Sequence, residues 1–117
     1  MGGGMNTTLA KRLAEAVSHG RRRALAFPGN IGRDELPWAV IADFDAGIRG
    51  NVERDRRIED ERDRVLIAAV QFAETSPDAS EEIAAARAHL IDAIDYLEQA
   101  VLRFGVVNRQ GVKLGLA

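Results

Sequence analysis

The stretch VLIAAVQFAETSPDASEEI, residues 65–83, decides the fold. Its first part, Val65–Ala73, is apolar on nearly every side of a helix, which predicts a deeply buried segment. The residues Thr75–Asp78 that follow form a turn signal, in which Pro77 is suited to the first position of a new helix. A helix that enters a short turn and a second helix that leaves it predict an antiparallel helical hairpin.

The two arms of this hairpin are predicted at Asn51–Glu74 and Asp78–Phe104. They match in length, at about 36 and 40 Å for a rise of about 1.5 Å per residue. Asn51 is a candidate N-cap for the first arm, and Gly105 is expected to end the second. The core stripe of the second arm, at helical spacing, is Ile83, Leu90, Ile94, Leu97, Val101 and Phe104.

Two further helices are predicted before the hairpin. Thr8–His19 has apolar residues at helical spacing and is followed by Gly20, a pattern typical of a helix end. A second helix begins near Pro37, and we expect a kink at Gly47 and Gly50 because each glycine costs about 1 kcal/mol in a helix. The apolar stripe of this second helix is Trp38, Ile41, Phe44 and Ile48.

Composition favours a single all-α domain over residues 1–117. Charged residues make up 29% and hydrophobic residues 46%, a globular balance. Aromatic residues are only 5%, which suits close-packed helices better than a β-sandwich. Residues 1–7 are expected to be a flexible N-terminus and residues 106–117 a tail.

Charge and residue types exclude several classes of function. The net charge of −2 gives no strong attraction to extended nucleic acid or to an anionic membrane. The chain has no cysteine, which excludes disulfides, thiolate nucleophiles and cysteine-based metal sites. No apolar run approaches the roughly 18 residues of a membrane span, and no signal-peptide pattern is present. These features predict a cytoplasmic protein.

Two acidic pairs, Asp60/Asp63 and Asp92/Asp95, are candidates for catalysis. Each pair lies on one helical face, and facing helices could gather the four carboxylates around Mg²⁺. In this respect the chain looks a little like the all-α MazG-type nucleotide pyrophosphohydrolases, which favour Glu at such positions. The alternative is a solvated charged face, because the first pair lies within the charged run Glu53–Arg64.

The segment Gly20–Pro37 is predicted to be an irregular, arginine-rich loop that also contains aromatic residues. Arginine can bind phosphate through two parallel hydrogen bonds, and an aromatic ring can stack on a base. A plainer interpretation is that the arginines are solvated or pair with Asp34, Glu35 and Asp43, and that the aromatic rings belong to the core. On the first interpretation the ligand-binding residues are Arg21, Arg22, Arg23, Phe27, Arg33 and Trp38.

The last predicted helix carries a family resemblance. Its stretch ARAHLIDAIDYLEQAV, Ala86–Val101, resembles the closing helix of a phage helical-hairpin family. These small anti-defence "sponge" proteins sequester the cyclic nucleotide signals of the CBASS and Thoeris immune systems. The hairpin length is also similar. The matching positions are Leu90, Ala93, Tyr96, Ala100 and Val101.

The resemblance implies a non-enzymatic protein of phage origin, located in the host cell cytoplasm, that binds a cyclic nucleotide at subunit junctions without hydrolysing it. It implies no cofactor. The apolar segment Val65–Ala73 independently favours a homo-oligomeric bundle. Three hypotheses therefore remain open: a cyclic nucleotide sponge, a Mg²⁺-dependent pyrophosphohydrolase, and a structural helical module that binds another protein.

Overall fold

The computed structural model describes residues 7–26 and 33–107. Over these ranges the chain is almost entirely helical, which confirms the all-α class. The described residues contain no β-strand, only an isolated antiparallel bridge between Val52 and Val107. The elements are α1 (Thr7–Ala26), α2 (Leu36–Gly47), a 3₁₀ turn (Arg49–Asn51), α3 (Arg56–Glu74) and α4 (Ser80–Phe104).

The four helices form a closed bundle around a single core. α1 packs against α2 and α4, and α3 packs against the same two helices from the other side. A large apolar side chain stabilises the fold by about 1.5–3 kcal/mol when it is fully buried. The largest fully buried side chains come from all four helices and the turn after α2: Phe72, Leu13, Leu36, Ile41, Ile48, Leu90, Val65 and Val101.

The predicted hairpin is present as α3 and α4, but its first arm starts later than predicted. α3 begins at Arg56 rather than at Asn51. Asp55 is the N-cap, and its carboxylate accepts a hydrogen bond from the backbone N–H of Arg57 at 2.8 Å. An aspartate at this position satisfies a backbone donor that the first helical turn leaves without a partner. Asn51 instead belongs to the 3₁₀ turn.

The second arm also starts later than predicted, and a backbone hydrogen bond joins the two arms at the end opposite the turn. α4 begins at Ser80 rather than at Asp78, because the turn extends two residues further than predicted. Within the turn, the Ser76 hydroxyl accepts a hydrogen bond from the backbone N–H of Asp78 at 3.3 Å. At the opposite end, the backbone N–H of Glu53 donates to the carbonyl of Val106 at 2.7 Å, which ties the two arms together.

α1 continues through the position where the sequence predicts its end. The prediction stops this helix at His19, but α1 runs to Ala26, so the three consecutive arginines lie on a helix and not in a loop. Gly20 is buried against α2, and a Cβ atom there would lie 3.2 Å from the carbonyl oxygen of Val40. Glycine at this position therefore permits close helix packing rather than ending the helix.

α2 ends at Gly47 and is followed by the 3₁₀ turn, which confirms the predicted break. The predicted apolar stripe is wrong at one position, since Trp38 is 63% exposed. Successive helical residues point about 100° apart. Trp38 therefore lies about 200° around the helix from the buried Leu36, and it faces outward. The buried face of α2 is Leu36, Pro37, Val40, Ile41 and Phe44.

The segment Val65–Ala73 is only partly buried, in contrast to the prediction. Ile67 is 56% exposed and Val70 is 41% exposed, so both lie on the outer face of α3. The buried members of the segment are Val65, Ala68, Ala69, Phe72 and Ala73.

Several predictions fall outside the described residues. They are the ligand-binding assignment of Phe27, most of the flexible N-terminus and most of the tail. Among the described residues, no helix is both long enough and apolar enough to span a membrane.

Candidate functional site

A pocket of about 460 Å³ lies in the groove between α2 and α3. It is lined by two of the six predicted ligand-binding residues, Arg33 and Trp38, which come from the start of α2 and the residues just before it. Its volume falls within the range of about 300–1,000 Å³ that is usual for small-molecule sites. The α3 wall consists of Leu66, Val70, Ala73 and Glu74.

The chain places these side chains through the local structure of two helices. Pro37 in the first turn of α2 is buried, whereas Trp38 is exposed and stands on the rim of the pocket. On α3, Leu66 and Val70 are four residues apart and therefore share one helical face. The outcome is an apolar wall that faces an exposed indole ring across the groove.

The pocket carries charges of both signs. Arg33 contributes a guanidinium, and Asp34 and Glu74 contribute carboxylates. Arg33 is exposed, and no hydrogen bond or ion pair joins it to another residue within 7–26 or 33–107. Its five N–H donors are thus not committed to the part of the fold that is described.

The three consecutive arginines do not line this pocket. Arg21 hydrogen bonds to Asp95 and lies 3.6 Å from a carboxylate oxygen of Glu98, so it is bound to α4. Arg22 is exposed and donates a hydrogen bond to the Ser18 hydroxyl, one turn earlier in α1. Arg23 is half-buried, and its Nε is buried with no hydrogen-bond partner in the described part of the chain. The structure therefore does not bring these arginines together with Arg33 and Trp38.

For Arg21, the structure also differs from the alternative interpretation, in which the arginines are solvated or pair with acidic residues nearby in sequence. Its carboxylate partners come from α4, more than 70 residues away, and not from Asp34, Glu35 or Asp43. Asp43 instead pairs with His19, and this contact joins α2 to α1.

The two acidic pairs do not gather into one site. Asp95 is engaged by Arg21, whereas Asp63 faces solvent and lies 3.7 Å from Arg62. Asp92 lines the groove between α3 and α4. Across residues 7–26 and 33–107, no group of three or more His, Asp or Glu side chains has a geometry that could hold a metal ion.

The groove between α3 and α4 is a second concave surface, of about 400 Å³. Ile67 and Tyr96 are its large apolar side chains, and Tyr96 is 65% exposed. Its polar side chains include Arg64, His89 and Asp92. In the sequence, Tyr96 stands out only as part of the family resemblance. Helical spacing alone could have indicated an outward position for it, since Leu97 occupies the core stripe.

The charged base of the hairpin contains ion pairs between residues that are close in sequence. Arg49 donates two hydrogen bonds to Glu59, and its guanidinium lowers the pKa of that carboxyl. The hydrogen bond from the Arg57 side chain is the main cause that lowers the pKa of Asp55 to about 2. The cluster thus consists of structural ion pairs, and its carboxylates stay ionised at neutral pH.

No protein family, curated protein or solved structure matches the chain. The resemblance of α4 to the sponge family therefore stays a prediction.

Proposed function

We propose that the protein binds a cyclic nucleotide in the pocket between α2 and α3, without hydrolysing it. The observation that carries the proposal is that Arg33 and Trp38 line the same pocket. A guanidinium binds a phosphate through charge-assisted hydrogen bonds, and an indole ring stacks on a base. One short segment of the chain thus supplies both kinds of group that a nucleotide requires.

The rest of the pocket is compatible with this ligand. Leu66 and Val70 offer an apolar surface to the second face of a base. The carboxylates of Asp34 and Glu74 disfavour a phosphate beside them, but they accept hydrogen bonds from the amino groups of bases. We therefore place the phosphate at Arg33 and the base between Trp38 and the α3 wall.

Two observations favour binding over turnover and a cyclic ligand over a linear one. The acidic pairs that would support a pyrophosphohydrolase do not converge within the described residues. The resemblance of Ala86–Val101 to the closing helix of sponge proteins points to cyclic nucleotide signals. The cyclic character of the ligand rests on that resemblance alone, whereas the nucleotide class rests on the pocket.

Isothermal titration calorimetry tests the proposal with a panel of cyclic dinucleotides, cyclic trinucleotides and cyclic ADP-ribose isomers. We expect at least one of them to bind and to be recovered unchanged by chromatography after incubation with the protein and Mg²⁺. Trp38→Ala should weaken binding about 5- to 150-fold, since stacking contributes about 1–3 kcal/mol per base.

Tyr96→Ala is the matched control, because it removes an equally exposed aromatic ring from the other groove. It should leave the affinity unchanged. The proposal is wrong if the folded protein binds no member of the panel, or if Trp38→Ala and Tyr96→Ala have the same effect.

A further inference from the structure

We infer that the pocket between α2 and α3 selects guanine over the other bases, and that the carboxylate of Glu74 recognises it. This inference rests on the proposed function and adds to it the identity of the base. Glu74 lines the pocket and is the last residue of α3. It lies four residues after Val70, so the two side chains are neighbours on one face of the helix.

The position of Glu74 suits the edge of a base and not its face. Leu66 and Val70 supply the apolar surface of α3 in the pocket, and Glu74 follows them one helical turn further on. One turn advances about 5.4 Å along the helix axis. The carboxylate therefore lies beside a base that is stacked between Trp38 and this apolar surface, where it meets the polar edge of the ring.

The hydrogen-bonding pattern of the base-pairing edge distinguishes guanine from the other bases. An ionised carboxylate only accepts hydrogen bonds, through its two oxygens. Guanine has two adjacent donors on this edge, the ring N–H and the amino group, and can donate to both oxygens in parallel. Adenine and cytosine each have one amino donor beside a ring acceptor, and uracil has one N–H between two carbonyl oxygens. A carboxylate thus leaves a repulsive acceptor contact with every base except guanine.

Glu74 is available for this role. Its side chain is exposed, and no hydrogen bond or ion pair joins it to another residue within 7–26 or 33–107. The last turn of α3 contains no basic residue. The C-terminal end of a helix disfavours a negative charge. Donors from a base would therefore compensate a charge that the described part of the fold leaves without a partner.

Asp34 is the other carboxylate of the pocket, but it belongs to the phosphate end. It follows Arg33 directly in the chain and precedes α2, whereas Glu74 lies on the α3 wall that the base contacts. The selection of the base is therefore assigned to Glu74, and Asp34 provides the matched control.

Calorimetry on the full chain with ligands of matched ring size tests the inference. One pair is cyclic di-GMP and cyclic di-AMP. The other is a cyclic trinucleotide with one guanine and its all-adenine counterpart. In at least one pair we expect the guanine-containing member to bind about 10- to 150-fold more tightly, the factor that hydrogen bonds to a charged group supply.

The variant Glu74→Gln tests the role of this side chain. An amide offers one acceptor and one donor group, the pattern that pairs with adenine. The variant should lose about 10-fold or more in affinity for the guanine-containing ligand and should bind the adenine ligand more tightly than the wild type does. Its helix content by circular dichroism should be unchanged. Asp34→Asn should keep the guanine preference. A Glu74→Gln variant with the wild-type preference would contradict the assignment.

The outcomes separate this inference from the proposed function. Equal affinities within each pair, a preference for the adenine member, or binding of cyclic ADP-ribose isomers alone would overturn the selection of guanine and leave nucleotide binding in place. A folded chain that binds no member of the panel would overturn both.

Discussion

Arg62 donates two parallel hydrogen bonds to Asp45, from Nε at 2.7 Å and from Nη2 at 2.6 Å. Arg62 lies on α3 and is only 9% exposed, whereas Asp45 lies near the end of α2. This bidentate pair fixes the orientation of the charged half of α3 against α2. Burial of a guanidinium is costly unless its charge is paired and its N–H groups are hydrogen bonded, and Asp45 supplies both.

We expect Asp45→Ala to lower the free energy of unfolding by about 2 kcal/mol, since it removes both hydrogen bonds to the buried guanidinium and leaves only the more distant carboxylate of Asp63 beside it. Urea denaturation measures the change. Asp60→Ala is the matched control, because it also replaces an aspartate within a helix. Asp60 is exposed and its nearest cation, Arg56, is 4.0 Å away. The control should change stability by less than about 0.5 kcal/mol. Equal effects of the two substitutions would show that the bidentate pair contributes no more to the free energy of unfolding than an exposed aspartate does.

Gly20 tests the close approach of α1 to α2. Gly20→Leu should destabilise the fold by about 1–3 kcal/mol, because a side chain there meets the Val40 carbonyl and the end of Ile94. Gly47→Leu provides the comparison, since nothing lies within 4 Å of a Cβ atom at Gly47. It should be neutral or should stabilise the helix by up to about 1 kcal/mol. Thermal unfolding followed by circular dichroism distinguishes the two, and a stabilised Gly20→Leu variant would contradict the packing described above.

The ion pairs at the base of the hairpin predict loss of stability in acid. Asp55 has a pKa of about 2 in the fold, below its unfolded value of about 3.9, because Arg57 hydrogen bonds to its ionised form. A depressed carboxyl pKa contributes stability that is fully present above the unfolded pKa. That stability is lost as the pH falls through the folded pKa. The pKa of Glu59 is lowered by Arg49, so it acts in the same direction.

Urea midpoints measured between pH 6 and pH 2 test this prediction. Wild-type stability should fall between about pH 4 and pH 2. Asp55→Asn should show a shallower fall, because asparagine keeps the N-cap acceptor but does not titrate. Identical pH profiles for the two proteins would show that Asp55 is not one of the groups responsible.

The fold class and the hairpin could be predicted from the sequence, because both follow from local patterns. Helical spacing and the Ser76-Pro77 turn specify two arms of similar length. The end of α1 could not be predicted in this way. Gly20 has the local signature of a helix end, and only the packing of α2 against it explains why the helix continues. Tertiary contacts override local propensity at such positions.

The candidate site could be predicted only in part, because some of its residues are close in sequence and others are distant. Arg33 and Trp38 are close in sequence, and the first turn of α2 keeps them in one pocket. Its α3 wall comes from residues about 30 positions further along the chain, for which the sequence carried no signal beyond an apolar run. The partner of Arg21 is also distant in sequence, since Asp95 lies on α4. A charged pair of this kind has no local pattern that would reveal it.

The placement of the arginines leads to a prediction that separates two residues of the same type. Arg33→Ala should weaken nucleotide binding about 10- to 150-fold, as expected for the loss of charge-assisted hydrogen bonds worth about 1.5–3 kcal/mol. Arg21→Ala should leave the affinity within about twofold of the wild type, because Arg21 is engaged by Asp95 and Glu98 on α4 and does not line the pocket. Calorimetry with the nucleotide that binds the wild-type chain measures both affinities. An equal loss in the two variants would show that the effect is not specific to the arginine that lines the pocket, and would contradict the placement of the phosphate at Arg33 alone. An unchanged affinity in both variants would show that neither Arg33 nor Arg21 binds the phosphate.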